Sequence, residues 1–417
     1  MEAIKEKEII SARRARLAEM MEDNSVLLLY AGLPVHVSED EYYPFEVNRQ
    51  FCYLTGLTRE NQALAISKLG GEVKEYLFIE EPQPKLERWI GKMPTREEST
   101  EISGIKDVRY MQDLSQMTAS LIGRNIVQNL YMETHRYHEE DLEDYNLFQA
   151  RRMMKLYPML CLRPIRPMMA ALRTVKDEQE IACFRKAVDI NREGLEEVLR
   201  RLKPGMTEYQ VQAVFEGTIR YQGAEGPAFA TIAAGGKNAC SMHYGENSAP
   251  LPDDGMILLD LGAKYRGYGS DVSRTYPVSG RFTERQKEIY ALVLKANKAI
   301  AAAARPGVPI RHLTEVGNQV LGEGLVQMGM IEKVEDAGKY SIHGFSHPIG
   351  LDTHDLSVGE EILQPGWIIS DEPGLYIDDE ALGVRIEDDL LITEDGCEVL
   401  TEGILREIED IEKFMEK

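Results

Sequence analysis

The stretch GMILLDLGAKYRGYGSDVSRTYPV, residues 255–278, decides how the second half of this chain folds. Its opening and closing apolar runs are typical of strands, and the glycine-containing segment between them predicts a turn. Asp260 and Asp271 flank that turn, so a hairpin would bring both carboxylates to one side of a sheet. Each aspartate alone would be read as a turn or surface residue. An aspartate amid apolar neighbours is costly to bury unless it is paired or bound to a cation.

A second acidic pattern follows later in the chain. Gly366-Trp-Ile-Ile-Ser-Asp371 matches Gly255-Met-Ile-Leu-Leu-Asp260, and Glu372 comes directly after it. Glu387 lies further on, in GVRIEDDLLIT. Both glutamates are embedded between strand-forming residues, as the two aspartates are. The two stretches therefore resemble each other in the order of strands and acids.

The helices of this half repeat as well. One long helix is predicted to end at Lys203-Pro204-Gly205 and another at Arg305-Pro306-Gly307, and a helix is predicted after each. Helix–Pro–Gly junctions are common, so this match alone is weak. Together with the acidic strands it predicts an internal duplication with pseudo-two-fold symmetry. Each half would contain two helices and a hairpin, and the acidic strand ends would face each other.

Histidines are concentrated near these acids. The segment HGFSHPIGLDTHD carries His343, His347 and His354, and the chain has eight histidines in all. A single histidine is more often a satisfied polar group than a ligand, but three in so short a segment favour a site. His243, in SMHYGEN, is the weakest candidate by itself.

Four carboxylates with imidazoles predict two divalent cations, because so many acids are too many for one catalytic ion. Oxygen-rich ligation suits hard or borderline ions, so manganese is the expected metal, with cobalt, zinc or iron as alternatives. A water shared by the two ions would be acidified towards neutral pH and could attack an amide carbonyl as hydroxide. Neighbouring histidines would stabilise the oxyanion.

The residues around Glu387 leave some roles open. Arg385 lies two positions earlier and should share its face of a strand. It would form a salt bridge with Glu387, orient a metal ligand, contact substrate, or combine these roles. Asp388 and Asp389 are expected to face solvent or to cap a turn.

Composition excludes several classes of protein. The formal net charge is −22, which argues against nucleic acid and anionic lipid as partners. Five scattered cysteines without a C-x-x-C motif fit free thiols in a reducing compartment. The N-terminus lacks the features of a signal peptide, and no apolar run reaches the roughly 20 residues of a membrane span. We therefore expect a cytoplasmic protein that does not bind membranes.

A length of 417 residues suggests two domains. Before residue 160, strands are predicted at 25–31, 62–67, 75–80 and 126–133, and helices at 2–22, 113–123 and 141–156. This alternation predicts a small α/β domain. The prolines of LRPIRPMMA break the pattern, and Asp177-x-x-Glu180 resembles a capping box that begins a helix reaching about Leu202. We place domains at 1–170 and 171–417.

Residues 175–410 resemble the pita-bread metallopeptidases, the family of methionine aminopeptidase, prolidase and aminopeptidase P. The matching strings are LDLG, SDVSRTYPV, HGFSHPIGLDTHD, DEPGLYI and GVRIEDD, in family order. The resemblance implies a C-terminal α+β pita-bread domain. It also implies five metal ligands: Asp260, Asp271, His347, Glu372 and Glu387.

The same resemblance implies individual roles. Asp271 and Glu387 would bridge the metals, and Glu372 would also carry protons. His243 and His354 would hold the substrate and the tetrahedral intermediate. His343 would line the pocket for the proline ring, and Arg385 would support the site.

The first domain resembles the N-terminal domain of the aminopeptidase P group. The strings that carry this resemblance are EDEYYPFEVNRQFCYLTGL and LERWIGKM. By resemblance, Asp40 and Trp89 would reach the active site of a neighbouring subunit and limit substrate length. The resemblance therefore implies a homodimer or homotetramer. Glu46 stands where the family usually has an arginine.

The resemblance implies a dimetal aminopeptidase that hydrolyses the N-terminal bond of peptides with proline second. Such a bond needs a dedicated pocket, because its tertiary amide has no N–H. One alternative is a prolidase, which accepts only Xaa–Pro dipeptides. Two others are an inactive pita-bread binding module and a creatinase-like hydrolase without metal.

Overall fold

The computed structural model describes residues 2–123, 126–357 and 361–416. The chain divides into two compact units, Met1–Leu172 and Arg173–Lys417. No described helix combines the length and apolarity that crossing a bilayer requires.

The first unit alternates helices and strands, as predicted for its α/β class. Its elements are α1 (Glu2–Met20), β1 (Ser25–Tyr30), α2 (Arg49–Thr55), β2 (Ala63–Leu69), β3 (Glu72–Ile79), α3 (Pro84–Ile90), α4 (Arg96–Ser103), β4 (Val108–Tyr110), α5 (Leu114–Ile122), β5 (Asn129–Met132), α6 (Tyr145–Leu156), β6 (Cys161–Pro164) and α7 (Arg166–Arg173), whose last residue begins the second unit.

Within the described part of the first unit, one six-stranded sheet has the order β4-β3-β2-β1-β5-β6. The central strand β1 is buried along its whole length, which explains its uninterrupted apolar sequence SVLLLY. It pairs antiparallel with β2 and parallel with β5. The four strands predicted here are confirmed, whereas the short strands β4 and β6 and the short helices α2, α3, α4 and α7 were not predicted. Their periodicity is too brief to register in sequence. The expected break of regular structure at LRPIRPMMA is wrong, because β6 and α7 occupy that segment and a proline is tolerated in the first turn of a helix.

The second unit holds the acidic strands. Its elements are α8 (Glu178–Arg201), α9 (Glu208–Tyr221), β7 (Gly226–Pro227), β8 (Ile232–Gly235), β9 (Met256–Leu261), β10 (Ala263–Tyr265), β11 (Tyr268–Gly269), β12 (Val272–Pro277), α10 (Glu284–Ala303), α11 (Ile310–Gln327), β13 (Ile368–Asp371), β14 (Gly374–Ile377), β15 (Leu382–Arg385), β16 (Asp388–Ile392), β17 (Cys397–Val399) and α12 (Ile408–Met415).

The second unit contains an internal duplication, as the sequence predicted. The antiparallel pair β9–β12 encloses the small pair β10–β11, and the antiparallel pair β13–β16 encloses β14–β15. Helices α8 and α9 precede the first set, and α10 and α11 precede the second. Apolar residues of both halves, such as Phe215, Tyr276, Phe345 and Trp367, belong to one continuous core. The predicted α+β architecture with an internal duplication is confirmed.

The junctions between the helices repeat in their backbone geometry. Gly205 after α8 has φ of 86° and Gly307 after α10 has φ of 85°. A residue with a side chain rarely adopts this left-handed conformation, so glycine allows the same turn a few residues after each helix ends. At the other end of α8, Asp177 and Glu180 form the predicted capping box. These signals explain why both helix pairs turn in the same way.

A close backbone approach shapes the first hairpin. A Cβ added to Gly262 would lie 1.9 Å from the carbonyl oxygen of Ser270. Only glycine fits there, directly after β9, the strand that carries Asp260. The glycine of LDLG therefore allows the backbone just before Asp271 to pass close to the end of β9.

Candidate metal centre

The first pair of acidic side chains comes from the β9–β12 hairpin. Asp260 lies in β9 opposite Ser273, and Asp271 immediately precedes β12. Asp271 is almost completely buried, whereas the Asp260 side chain is 15% exposed. The backbone N–H of Asp271 faces both carboxylate oxygens of Asp389, 3.3 Å away. The first half of the duplication thus offers two carboxylates at one end of its hairpin.

The second pair comes from the repeat of that hairpin. Glu372 directly follows β13, and Glu387 directly precedes β16. Ser370 Oγ donates to Glu372 Oε1 at 3.2 Å. Ser273 Oγ donates to Glu387 Oε2 at 2.7 Å, and the Glu387 N–H donates to the Ser273 carbonyl at 2.9 Å. Because Ser273 belongs to the first half, it joins the acids of the two halves.

His347 completes the cluster. Its Nε2 lies 3.6 Å from Asp271 Oδ2 and 3.3 Å from Glu372 Oε1. Its Nδ1 faces the Pro348 carbonyl at 3.1 Å, which directs Nε2 towards the acids. One potential ligand atom each from Asp271, His347 and Glu387 lie within 4.8 Å of one another. Asp260 and Glu372 line the same cavity, so all five predicted ligands converge.

Electrostatics favour cations at this position. Burial, reinforced by repulsion from Asp260, raises the pKa of Asp271 well above its ordinary value. Burial and repulsion from Asp271 do the same to the pKa of Glu387. Burial raises the pKa of Glu372 to about 7. Divalent ions among these oxygens would remove the repulsion, and a mostly oxygen donor set with one imidazole fits hard or borderline metals.

The histidines around the acids are held neutral. Burial lowers the pKa of His347 to about 4, and the pKa of His343 also falls to about 4. Burial lowers the pKa of His354 as well. Neutral imidazole is the form that ligates metals and donates a hydrogen bond from one nitrogen. These rings therefore suit metal binding and oxyanion stabilisation.

The three other predicted histidines surround the same cavity or its rim. His343 Nε2 lies 2.9 Å from Tyr376 Oη, and its Nδ1 lies 3.7 Å from Glu372 Oε2. The His354 ring centroid lies 4.2 Å from that of His347. His243 is exposed on a loop and lines the cavity together with His354.

Arg385 is buried and contacts three partners. Its Nη2 donates to Asp260 Oδ2 at 2.5 Å, its Nε to Ser273 Oγ at 2.7 Å and its Nη1 to Tyr376 Oη at 3.1 Å. The salt bridge expected with Glu387 is therefore formed with Asp260, and Arg385 reaches Glu387 through Ser273. Strand β15 ends at Arg385 and β16 begins at Asp388, so Glu387 lies between two strands and the expected sharing of one strand face does not apply. Ser273 was missed, although its spacing of two from Asp271 in a strand was a signal.

The expectation that Asp388 and Asp389 face solvent is wrong, because both are fully buried. Asp388 accepts hydrogen bonds from Arg274 at 2.7 Å and from Thr401 at 2.6 Å. Despite its burial, Arg274 and Arg406 lower the pKa of Asp388 to about 2. Asp389 faces the backbone N–H of Asp271. The strand β16 is buried on both faces, so consecutive acids cannot alternate between core and solvent.

The acids line a cavity of about 400 Å³. Its lining also includes apolar side chains that the sequence analysis did not single out: Phe229, Ile232 and Met242. A cavity that combines converging polar groups with apolar side chains is typical of a small-ligand site.

Asp40 and Trp89 lie in the first unit and are exposed. Trp89 is 89% accessible, which is unusual for an indole in a folded domain. Asp40 lies in an irregular segment between β1 and α2. Both belong to the part of the chain that the sequence assigned to subunit contacts.

Comparison with known protein families gives two matches. Residues 182–394 match metallopeptidase family M24, and residues 10–131 match the aminopeptidase P N-terminal domain. The M24 match includes all four converging acids and His347.

Individual proteins match over the whole chain. An Xaa-Pro aminopeptidase from Haemophilus influenzae is 32% identical, and the alignment covers 98% of this chain and 97% of the relative. A solved structure from Bacillus anthracis has a TM-score of 0.95 and 38% identity over 98% of both chains. The structure of zinc-substituted Escherichia coli aminopeptidase P in complex with product has a TM-score of 0.88 and 30% identity, again over 98% of both chains.

Proposed function

The chain belongs to metallopeptidase family M24 and to its Xaa-Pro aminopeptidase group, and on that premise we propose how its site works. It is a metal-dependent Xaa-Pro aminopeptidase. The observation that carries the proposal is the convergence of two acidic hairpin ends, one from each half of the duplication, around His347.

We propose that Asp260, Asp271, His347, Glu372 and Glu387 would hold two divalent ions. The fit rests on the oxygen-rich donor set and on the raised carboxyl pKa values of the uncompensated cluster. Manganese is the preferred metal. When bound, the two ions supply Lewis acidity and a water acidified towards neutral pH.

The remaining steps belong to side chains of this chain. Glu372 accepts the proton of the attacking water on a carboxylate oxygen and delivers it to the proline nitrogen as the peptide bond breaks. His354 and His243 donate hydrogen bonds to the oxyanion that forms from the carbonyl. Arg385 fixes Asp260 through the contact from Nη2 to Oδ2.

The cavity suits a peptide whose second residue is proline. The scissile amide of such a peptide is tertiary, so recognition cannot use its N–H. The apolar side chains of Phe229, Ile232 and Met242 in the cavity lining offer a surface for a ring instead. His343, whose Nδ1 lies 3.7 Å from Glu372 Oε2, would border that ring.

We propose that residues 1–170 gate substrate length and form contacts in a homodimer or homotetramer, and that residues 171–417 are the catalytic domain. The exposed Trp89 supports such a contact, because large exposed aromatic groups are enriched in interfaces. Asp40 would act beside it at the neighbouring subunit's site. We place the protein in the cytoplasm, where its free cysteines would stay reduced.

Peptide length provides the test. The manganese-loaded chain would be incubated with Gly-Pro, Gly-Pro-Pro and a longer peptide with proline second, and released glycine would be quantified. We expect release from the tripeptide and the longer peptide. Cleavage restricted to Gly-Pro would indicate a prolidase. No cleavage after loading with manganese, cobalt or zinc would favour a binding protein.

A further inference from the structure

His243 lies on a loop without regular structure, between a 3₁₀ turn at Gly236–Cys240 and strand β9. The ring is exposed, and it lines the cavity beside the acids. A side chain that contributes to a transition state must be held in place. The loop therefore needs anchors on both sides of His243.

One buried carboxylate supplies anchors on both sides. Glu208, the first residue of α9, is fully buried. Its Oε1 accepts from the Gly235 N–H at 2.8 Å and from Asn238 Nδ2 at 2.9 Å. Its Oε2 accepts from Tyr244 Oη at 2.7 Å and from the Ala249 N–H at 2.8 Å.

The same face of α9 carries two further contacts, one and two turns later. Gln212 Oε1 accepts from Asn247 Nδ2 at 3.0 Å, and Glu216 Oε1 accepts from Thr231 Oγ1 at 2.9 Å. Gln212 Nε2 also donates to Glu216 at 2.9 Å, which orders the row. Residues at this spacing lie on one face of a helix. We call Glu208, Gln212 and Glu216 the α9 polar row.

Glu208 is fully buried, whereas Gln212 and Glu216 are half-buried. A buried carboxylate is stable only where hydrogen-bond donors satisfy it, as the four donors do here. The row contacts the segment from Thr231 to Ala249, which includes part of the cavity wall and His243. A carboxylate at a helix N-terminus is also stabilised by the helix dipole. Glu208 is therefore a rigid point from which the loop can be fixed.

We propose that Glu208 is a positioning residue that holds His243 in the orientation used for substrate. Glu208 brackets His243, with contacts before it at residues 235 and 238 and after it at residues 244 and 249. The proposal rests on the function proposed above, because it gives His243 a role in binding the oxyanion.

Glu208→Gln is the main variant, since it keeps the shape of the side chain. The amide nitrogen cannot accept from the Ala249 N–H, so one anchor is lost and the Tyr244 contact must reverse. Tyr244→Phe is a second, milder variant that removes a single hydrogen bond. Tyr209→Phe, at an exposed tyrosine next to Glu208 in α9, is the matched control.

A double-mutant cycle with His243→Ala measures whether Glu208 acts through His243. In the manganese-loaded chain we expect Glu208→Gln to lower kcat/KM for Gly-Pro-Pro about tenfold, with metal content unchanged. In the His243→Ala background the same change should lower it less than about twofold. Equal losses in both backgrounds would overturn the proposal, since a purely structural role would act on both alike.

Hydrogen exchange tests the anchoring without relying on activity. Amides between residues 235 and 249 should exchange about tenfold faster in Glu208→Gln, and less so in Tyr244→Phe, while Tyr209→Phe should match the wild type. Unchanged exchange in both variants would overturn the proposal. If the wild-type chain cleaves no Xaa-Pro peptide, the proposed function is wrong. Faster exchange in Glu208→Gln would then still show that Glu208 anchors the loop, so the failure of the proposed function and the failure of the anchor are told apart.

Discussion

The carboxylate of Glu372 contacts both a serine and a histidine of the site. The residue follows β13, accepts a hydrogen bond from Ser370 and lies within 3.3 Å of His347 Nε2. Burial raises its pKa to about 7, near the range in which a carboxyl group both accepts and releases protons. Two roles are proposed for this carboxylate, metal ligand and proton carrier, and a single substitution can test the second.

Glu372→Gln should keep the fold and reduce turnover. The amide has nearly the same shape but cannot carry a proton, so kcat should fall by at least about a hundredfold. Steady-state hydrolysis of Gly-Pro-Pro and circular dichroism would measure the two effects. Glu394→Gln, at an exposed glutamate of the same unit, serves as control and should keep full activity. Near-normal turnover of Glu372→Gln would contradict the assigned role.

Metal affinity should depend on pH because the acids hold protons in the absence of metal. The pKa of Glu372 is raised to about 7, and those of Asp271 and Glu387 lie well above their ordinary values. The metal-bound form holds fewer protons than the metal-free form, so a higher pH favours binding. His347, whose pKa is lowered to about 4, is already neutral and adds no proton to this exchange.

Manganese affinity should therefore rise between about pH 6 and about pH 8, by about tenfold per pH unit for each proton released. Calorimetric titrations in buffers of different protonation enthalpy would count the released protons. Equal affinity at both ends of that range, with no proton release, would show that the cluster is already deprotonated.

At the residue scale, spacing and residue type identified the acids and histidines that converge. The same reasoning failed for Asp388 and Asp389, because alternation between faces gives no information in a strand buried on both sides. It also missed Tyr376 and Glu208. A glutamate is usually exposed and a tyrosine is only partly buried on average. The contacts of Tyr376 with His343 and of Glu208 with Tyr244 exist only in the folded chain.

At the scale of elements, the loop that carries His347 and His354 is fixed by a buried ionic cluster. Asp355, directly after His354, forms ion pairs with Arg173 and with Lys176, whose Nζ lies 3.3 Å from Asp355 Oδ2. All three side chains are 1% exposed. A Cβ on Gly350 would lie 1.8 Å from Asp355 Oδ2, so the glycine lets the carboxylate pack under the loop.

Asp355→Asn should destabilise the second unit. It removes the negative charge between two buried cations, and breaking such a cluster costs about 3–5 kcal/mol. Urea denaturation of the metal-free chain would measure the loss. Glu398→Gln, which weakens the exposed pair of Arg185 and Glu398, should cost less than about 1 kcal/mol. Equal effects of the two changes would contradict the importance of burial.

The elements themselves were largely predictable. Capping residues and Pro-Gly junctions mark in the sequence where the long helices begin and end. The paired acidic strands repeat in both halves of the second unit. The loop between His343 and Asp355 was not predictable in shape, because its course depends on Arg173 and Lys176, which are distant in sequence.

At the scale of the whole molecule, the duplication explains why a strongly acidic chain can bury acids at all. Each half contributes one hairpin end with two carboxylates, and the core shared by the two halves fixes them close together. Without cations such an arrangement is unfavourable, because like charges in a poorly solvated site repel each other. We infer that two metal ions compensate this charge and form the catalytic centre.

Anomalous scattering from crystals grown with manganese would show whether two ions are bound among these acids. We expect two peaks about 3.5–4 Å apart, surrounded by Asp260, Asp271, His347, Glu372 and Glu387. A single peak, peaks elsewhere in the chain, or no peak in crystals of protein that cleaves Gly-Pro-Pro would contradict the inference that two metal ions form the catalytic centre.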